Sequence, residues 1–196
     1  MFRNPVHVRD AEPEDAAALI ALWADFSKRT PDGIEVSPEA ETAAGLARMA
    51  AEPDERLLVG VLEDRVVGTM HLRRTSVSPI HSETAIHTSH LHVLEGCRRR
   101  GVGRALLEVA VTWAEEKATG HILAVSAMNS RDANRFMARL GLGQIAVLRG
   151  TTVPALRAKL PGEAAAVARI GTQQHQKLGQ VLAQRRSLKR SQWKPQ

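Results

Sequence analysis

The chain has no tyrosine, a single cysteine and an aromatic content of only 3%. Without tyrosine, no phenol can donate or accept a proton anywhere in its chemistry. With Cys97 alone, no internal disulfide can form, which suits a reducing compartment. No apolar run approaches membrane-spanning length, and Met1-Phe2-Arg3-Asn4-Pro5 carries no apolar leader stretch, so a soluble cytoplasmic protein is expected. No internal repeat is present. At 196 residues and 43% hydrophobic content, one good core can be buried.

The net charge of +6 is unevenly distributed. Residues 155–196 hold nine Lys and Arg against one acid, Glu163, whereas residues 1–154 hold eighteen against twenty. The body is near neutral and the end of the chain is a cationic appendage. Its stretch from Glu163 to about Arg190 is helix-compatible, with Val167, Ile170, Leu178, Val181 and Leu182 on a narrow stripe. It reads as a helix docked on its own domain or on a dimer mate. Nucleic-acid contact through phosphates is the competing reading, without a DNA-binding motif or interleaved aromatics to support it.

The informative run is Arg98-Arg99-Arg100-Gly101-Val102-Gly103-Arg104. It follows the strand-like His90-Leu91-His92-Val93-Leu94 and precedes the helix-like Ala105 to Trp113. Unpaired N–H groups and a partial positive charge at a helix start favour anions, and glycines let a bulky phosphate approach. The run is not a Walker loop, because Gly103 is followed by Arg104-Ala105 rather than Lys-Ser/Thr. A dinucleotide fingerprint would need a third glycine and a repeated βαβ pattern, and neither is present.

The rest of the chain reads as α+β. A strand at Val6 to Arg9 is followed by a helix from Pro13, with Ala16, Leu19, Ile20, Trp23 and Phe26 on its apolar face. After a turn at Thr30 to Gly33, a second helix starts at Ser37-Pro38. Arg56–Leu62 and Val66–Leu72 form a hairpin. A central strand spans Thr84 to Leu94, a further strand His121 to Ala127, and a helix Ser130 to Leu140. Ile145–Leu148 and Thr151–Val153 read as a closing hairpin.

Arg98-x-x-Gly101-x-Gly103, with this order of elements and the ending Arg139-Leu140-Gly141-Leu142, resembles the GNAT superfamily of N-acetyltransferases. The resemblance covers roughly Val6 to Leu160. It implies a 1–160 acetyltransferase domain with a 161–196 basic helical tail, and the acyl-CoA N-acyltransferase fold. That fold has a mixed, mostly antiparallel central sheet flanked by helices. Its parallel central strands splay apart to admit the acyl-pantetheine arm.

The same resemblance implies acetyl-CoA as acyl donor, an amine acceptor, no metal, and a homodimer. The backbone of Leu91, His92 and Val93 is expected to pair with pantetheine. The N–H groups of Arg99, Arg100, Gly101, Val102, Gly103 and Arg104 are expected to cradle the pyrophosphate, with Arg98 bracing the turn or touching a phosphate. Asn129 and Ser130 stand where the family contacts pantetheine, although Ser130 reads equally as a helix cap. His87 stands where the family often places a catalytic Glu or His, and an imidazole suits that work near neutrality. Strict alternation puts His90 and His92 on the opposite face. A bulge, common in the family at this point, would change that parity and make His90 the reserve base. Glu83 is a distant candidate acting through water. A metal held by these histidines is not expected, since odd and even positions diverge on a flat strand and no acidic or cysteine ligand lies nearby in sequence. Where the family often has a general-acid Tyr, this chain has Met137. That departure leaves a catalytically weak acyl-CoA-binding module as the alternative to an enzyme.

Overall fold

The computed structural model describes residues 5–27, 37–80, 82–126 and 130–160. Five strands form one sheet in the order of the sequence: β1 (His7–Asp10), β2 (Glu55–Leu62), β3 (Arg65–Ser76), β4 (Thr84–Val93) and β5 (His121–Ala124). The first three junctions are antiparallel; β4 and β5 are parallel. Glu63 and Asp64, at φ 53° and 59°, make the two-residue turn between β2 and β3, a twist that matches paired strands. Parallel strands need a crossover connection, and helix α3 (Val102–Glu116) supplies it.

The β4–β5 ladder runs only from Ala85 opposite His121 to Thr88 opposite Ala124, with one further bond from Val125 N–H to the Thr88 carbonyl at 2.9 Å. Beyond it, from Ser89 to Val93, β4 has no β5 partner among the described residues.

Each face of the sheet is covered. Leu58, Met70, Leu72 and Ile86 pack with Leu106, Ala110 and Trp113 of α3. Leu57 and Val59 pack on the other face with Leu19 and Leu22 of α1 (Ala16–Ser27) and Leu46 of α2 (Glu39–Ala50). β2 is thus buried on both sides, which is why its sequence is a continuous apolar run. Each such side chain contributes about 1.5–3 kcal/mol on burial. Pro13–Asp15 forms a short 3-10 turn ahead of α1. The Asp15 carboxylate accepts the Glu12 N–H at 2.9 Å and a fork from Arg9 at 2.6 and 2.8 Å, tying α1 to β1. Leu22 belongs to the buried stripe of α1, whereas Ile20, Trp23 and Phe26 are only half-buried.

Two glycines seat α3. Gly60 and Gly68 are opposite each other in β2 and β3. A Cβ on either would lie 2.7 or 2.9 Å from Cγ1 of Val102, the first residue of the helix. The missing side chains let the start of α3 settle directly on the sheet.

Helix α4 (Arg131–Arg139) is capped at both ends. The Ser130 hydroxyl accepts the Ala133 N–H. At the other end, Gly141 at φ 82° donates to the Ala138 carbonyl and Leu142 to that of Met137, a Schellman ending that favours glycine.

The chain divides into two compact units after Gly143. In the second, the expected hairpin is absent. Residues 144–152 carry neither helix nor strand, and Val153 opens a helix, α5 (Val153–Lys159). The Thr152 hydroxyl caps it by accepting the Ala155 N–H. Pro154 lacks the N–H a strand ladder needs but fits a helix's first turn. The turn at Thr30 to Gly33 and the tail from 161 lie outside the described residues, and no described helix is long and apolar enough to cross a membrane.

Candidate active site

A β-bulge in β4 organises the site. Thr69 of β3 faces His92 and His71 faces Ser89, so His90 and Leu91 together oppose Met70. His90 adopts φ 53° to absorb the extra residue. A bulge resets side-chain parity. Ser89 and His90 consequently both reach the α1 face, and His92 follows His90 there, while Leu91 and Val93 join the α3-side core. His87, two residues before Ser89, belongs to the same α1 face by alternation. The expectation that His90 and His92 oppose His87 is corrected on this point, because alternation fails where the chain accommodates the bulge.

His90 stacks on Trp23 of α1, with ring centroids 5.5 Å apart and planes inclined by 26°, and meets the edge of Phe26 at 6.0 Å. Burial among these rings, followed by the charge on His71, pushes its pKa below the ordinary imidazole value of 6.5. Its Nδ1 is 2.9 Å from the Ser89 hydroxyl. That hydroxyl is 3.2 Å from His71 Nδ1, and His71 Nε2 is 2.6 Å from Glu55 Oε1. His92 is buried, with Nε2 2.9 Å from Asp25 Oδ2 and its ring against Phe26. His87 is half-buried, and its Nε2 is buried without a hydrogen-bond partner among the described residues.

The arginine–glycine turn follows β4. Arg98 donates from Nε to the Val93 carbonyl at 3.2 Å and so braces the turn. Arg99 at φ 60° and Gly101 at φ 95° wind the backbone through left-handed conformations into α3. The first i to i−4 bond runs from Ala105 N–H to the Gly101 carbonyl, so the amides of Val102, Gly103 and Arg104 precede any intrahelical acceptor. Nothing lies within 4 Å of where a Gly101 Cβ would be, whereas Gly103 is close to Phe136 of α4. Arg100 pairs with Glu63 at 2.6 Å and Arg104 with Glu108 at 3.1 Å, all four exposed. A helix start whose first amides lack intrahelical acceptors, with open space beside Gly101, can receive the phosphates of an extended ligand.

Other expected residues fall elsewhere. Ser130 is engaged as a cap, and Asn129 lies outside the described residues. Met137 is buried in α4. Glu83 pairs with His121 at 2.9 Å, both exposed, near the start of β4. Among the described residues no group of three or more His, Cys, Asp or Glu could hold a metal ion. A cavity of about 400 Å³ opens between α1 and the β2–β3 turn, lined by Arg9, Asp15, Leu22, Asp64, Arg65 and Leu94 among others. None of the site histidines lines it.

Sequence reasoning missed Glu55, His71, Ser89 and Asp25. Only the register of β2, β3 and β4 brings the first three together, and only the seating of α1 brings Asp25 to His92.

A mostly antiparallel five-stranded sheet covered by helices on both faces, with one parallel pair joined through a glycine-rich helix start, defines an acyl-CoA N-acyltransferase fold. The chain belongs to the acetyltransferase (GNAT) family, whose model matches residues 19–142. Solved structures share the fold. A transcriptional regulator from Bacillus halodurans C-125 is 20% identical, covering 76% of this chain and 99% of that one, with a TM-score of 0.62. Glucosamine-6-phosphate N-acetyltransferase from Arabidopsis thaliana is 13% identical over 76% and 99%, with a TM-score of 0.64. An aminoglycoside N-acetyltransferase in complex with CoA is 13% identical over 76% and 94%, with a TM-score of 0.60. No curated protein sequence matches.

Proposed function

We propose that this chain is an N-acetyltransferase that moves an acetyl group from acetyl-CoA directly to a primary amine of a small molecule or peptide, with His90 as the base. The observation that carries this reading is the bulge. It turns His90 toward α1 past the end of the β5 ladder, and its aromatic socket keeps the imidazole uncharged near neutrality. A neutral imidazole can take the proton that an ammonium must lose before its nitrogen can attack.

In this reading the amides from Arg99 to Arg104 hold the pyrophosphate, with Gly101 leaving room for it and Arg98 bracing the turn. The edge of β4 at Leu91, His92 and Val93, past the end of the β5 ladder, pairs with the pantetheine amides as an added strand would. Acetyl-CoA supplies a thioester carbonyl activated for attack. The new N–C bond forms as C–S breaks, the amine proton passes to His90, and the thiolate leaves. A thiol pKa near 8.5 makes that departure tolerable without a tyrosine acid.

The same missing tyrosine, with buried Met137 at its position, favours a second reading as an acyl-CoA-binding module of weak activity. One experiment separates them. CoA and acetyl-CoA raise the thermal midpoint under either reading. Amine-dependent CoA release across polyamines, aminoglycosides, amino acids and peptide N-termini occurs only under the first. Binding without release from any amine would leave the module; failure to bind CoA would remove both readings.

A further inference from the structure

We propose that Ser89, His71 and Glu55 form a directional proton relay that sets the tautomer of His90 and carries the proton it accepts to the far side of β3. The proposal deepens the reading of His90 as base and rests on it.

The direction follows from what each atom can do. A carboxylate only accepts, so Glu55 Oε1 takes the hydrogen of His71 Nε2 at 2.6 Å. A neutral His71 then presents a lone pair at Nδ1, and the Ser89 hydroxyl, 3.2 Å away, donates to it. The hydroxyl has a single hydrogen. Its oxygen is left to accept, and the atom 2.9 Å from it is His90 Nδ1, which must carry its proton. His90 Nε2 is therefore the lone-pair nitrogen, the state a base needs. The reverse direction belongs to a charged His71, which donates from both nitrogens.

The same connections move charge. When Nε2 of His90 takes a proton, its Nδ1 hydrogen can pass to Ser89 Oγ while the Ser89 hydrogen passes to His71 Nδ1. No proton is gained or lost in the shift. The imidazolium then stands on His71 against the Glu55 carboxylate, and His90 is neutral again. Glu55 sits at the second strand of the sheet and is partly open to water, its side chain 22% exposed. Among the described residues, the other groups facing His90 are Trp23 and Phe26 of α1, with Asp25 of α1 engaged by His92. Ser89, His71 and Glu55 are positioning residues, since each acts on the amine through His90.

Tautomers can be read directly from nitrogen–proton correlations of ¹⁵N-histidine in the full chain, without ligand or turnover. His90 should carry its proton on Nδ1 and His71 on Nε2. Ser89→Ala should shift the His90 proton to Nε2, and Ser89→Thr, which keeps the hydroxyl, should restore it. His71→Gln should raise the His90 midpoint, because a proton already held on His71 opposes a second one on His90. A His90 proton found on Nε2 in the native chain, or a His90 spectrum indifferent to Ser89→Ala, would overturn the relay. CoA binding and release are separate measurements, so the activity and the relay can fail independently.

Discussion

Val102 rests on Gly60: its Cγ1 lies 2.7 Å from the position a Gly60 side chain would take, and 2.9 Å from that of Gly68. The approach of α3 to the sheet is therefore fixed by two absent methyl groups. Gly60→Ala and Gly68→Ala should each destabilise the protein by about 1–3 kcal/mol through overpacking. Gly68→Ala should be the worse, because the backbone carbonyl of His92, at 3.0 Å, cannot turn aside. Adding Val102→Ala should recover much of the Gly60→Ala loss. Urea unfolding measures the stability, and the CoA-induced thermal shift should shrink with the displaced helix start.

Gly101 takes φ 95° with open space around it. Gly101→Ala should cost about 1–2 kcal/mol from left-handed strain alone and weaken CoA binding. Gly101→Asn should be tolerated better, since Asn visits that region. Calorimetric CoA titration of the two variants checks the order.

His90→Ala should lower amine-dependent CoA release by about 10²–10⁴-fold and remove the acidic limb of the pH–rate profile. His87→Ala should leave that limb intact. The limb's midpoint should lie below 6.5, because burial and the His71 charge depress the His90 pKa. The stability sign follows. The unfolded state binds the proton more readily, so His90 begins to destabilise the fold as pH drops through 6.5. The penalty is complete below the folded-state value. Unfolding free energies at pH 5 and 7.5 should converge in His90→Ala relative to the native chain.

Arg9 grips Asp15 with two hydrogen bonds and holds its carboxyl below the ordinary value of 3.8. The resulting stability is present above that value and fades as pH falls through the depressed one. Arg9→Ala should cost about 1–3 kcal/mol at neutral pH and much less in strong acid. Thermal unfolding at pH 7 and pH 2 should reveal the difference.

The turn into α3 was legible because its cues are local: adjacent arginines and two glycines stand directly before a helix start. The Gly141 helix stop was legible for the same reason. The hairpin expected at Ile145–Val153 failed because Pro154 and the Thr152 cap outweigh β-branched composition.

The sequence alone determined the order of elements from β1 to α4 and the place of the helix start. Both depend on periodicity, propensity and glycine, which act over a few neighbouring residues. The tertiary structure decided which histidine meets α1 and what stands behind it. A single extra residue in β4 moved His90 to the other face, and cross-strand register joined Ser89, His71 and Glu55. Such pairings depend on distances between segments far apart in the chain, and no local pattern encodes them.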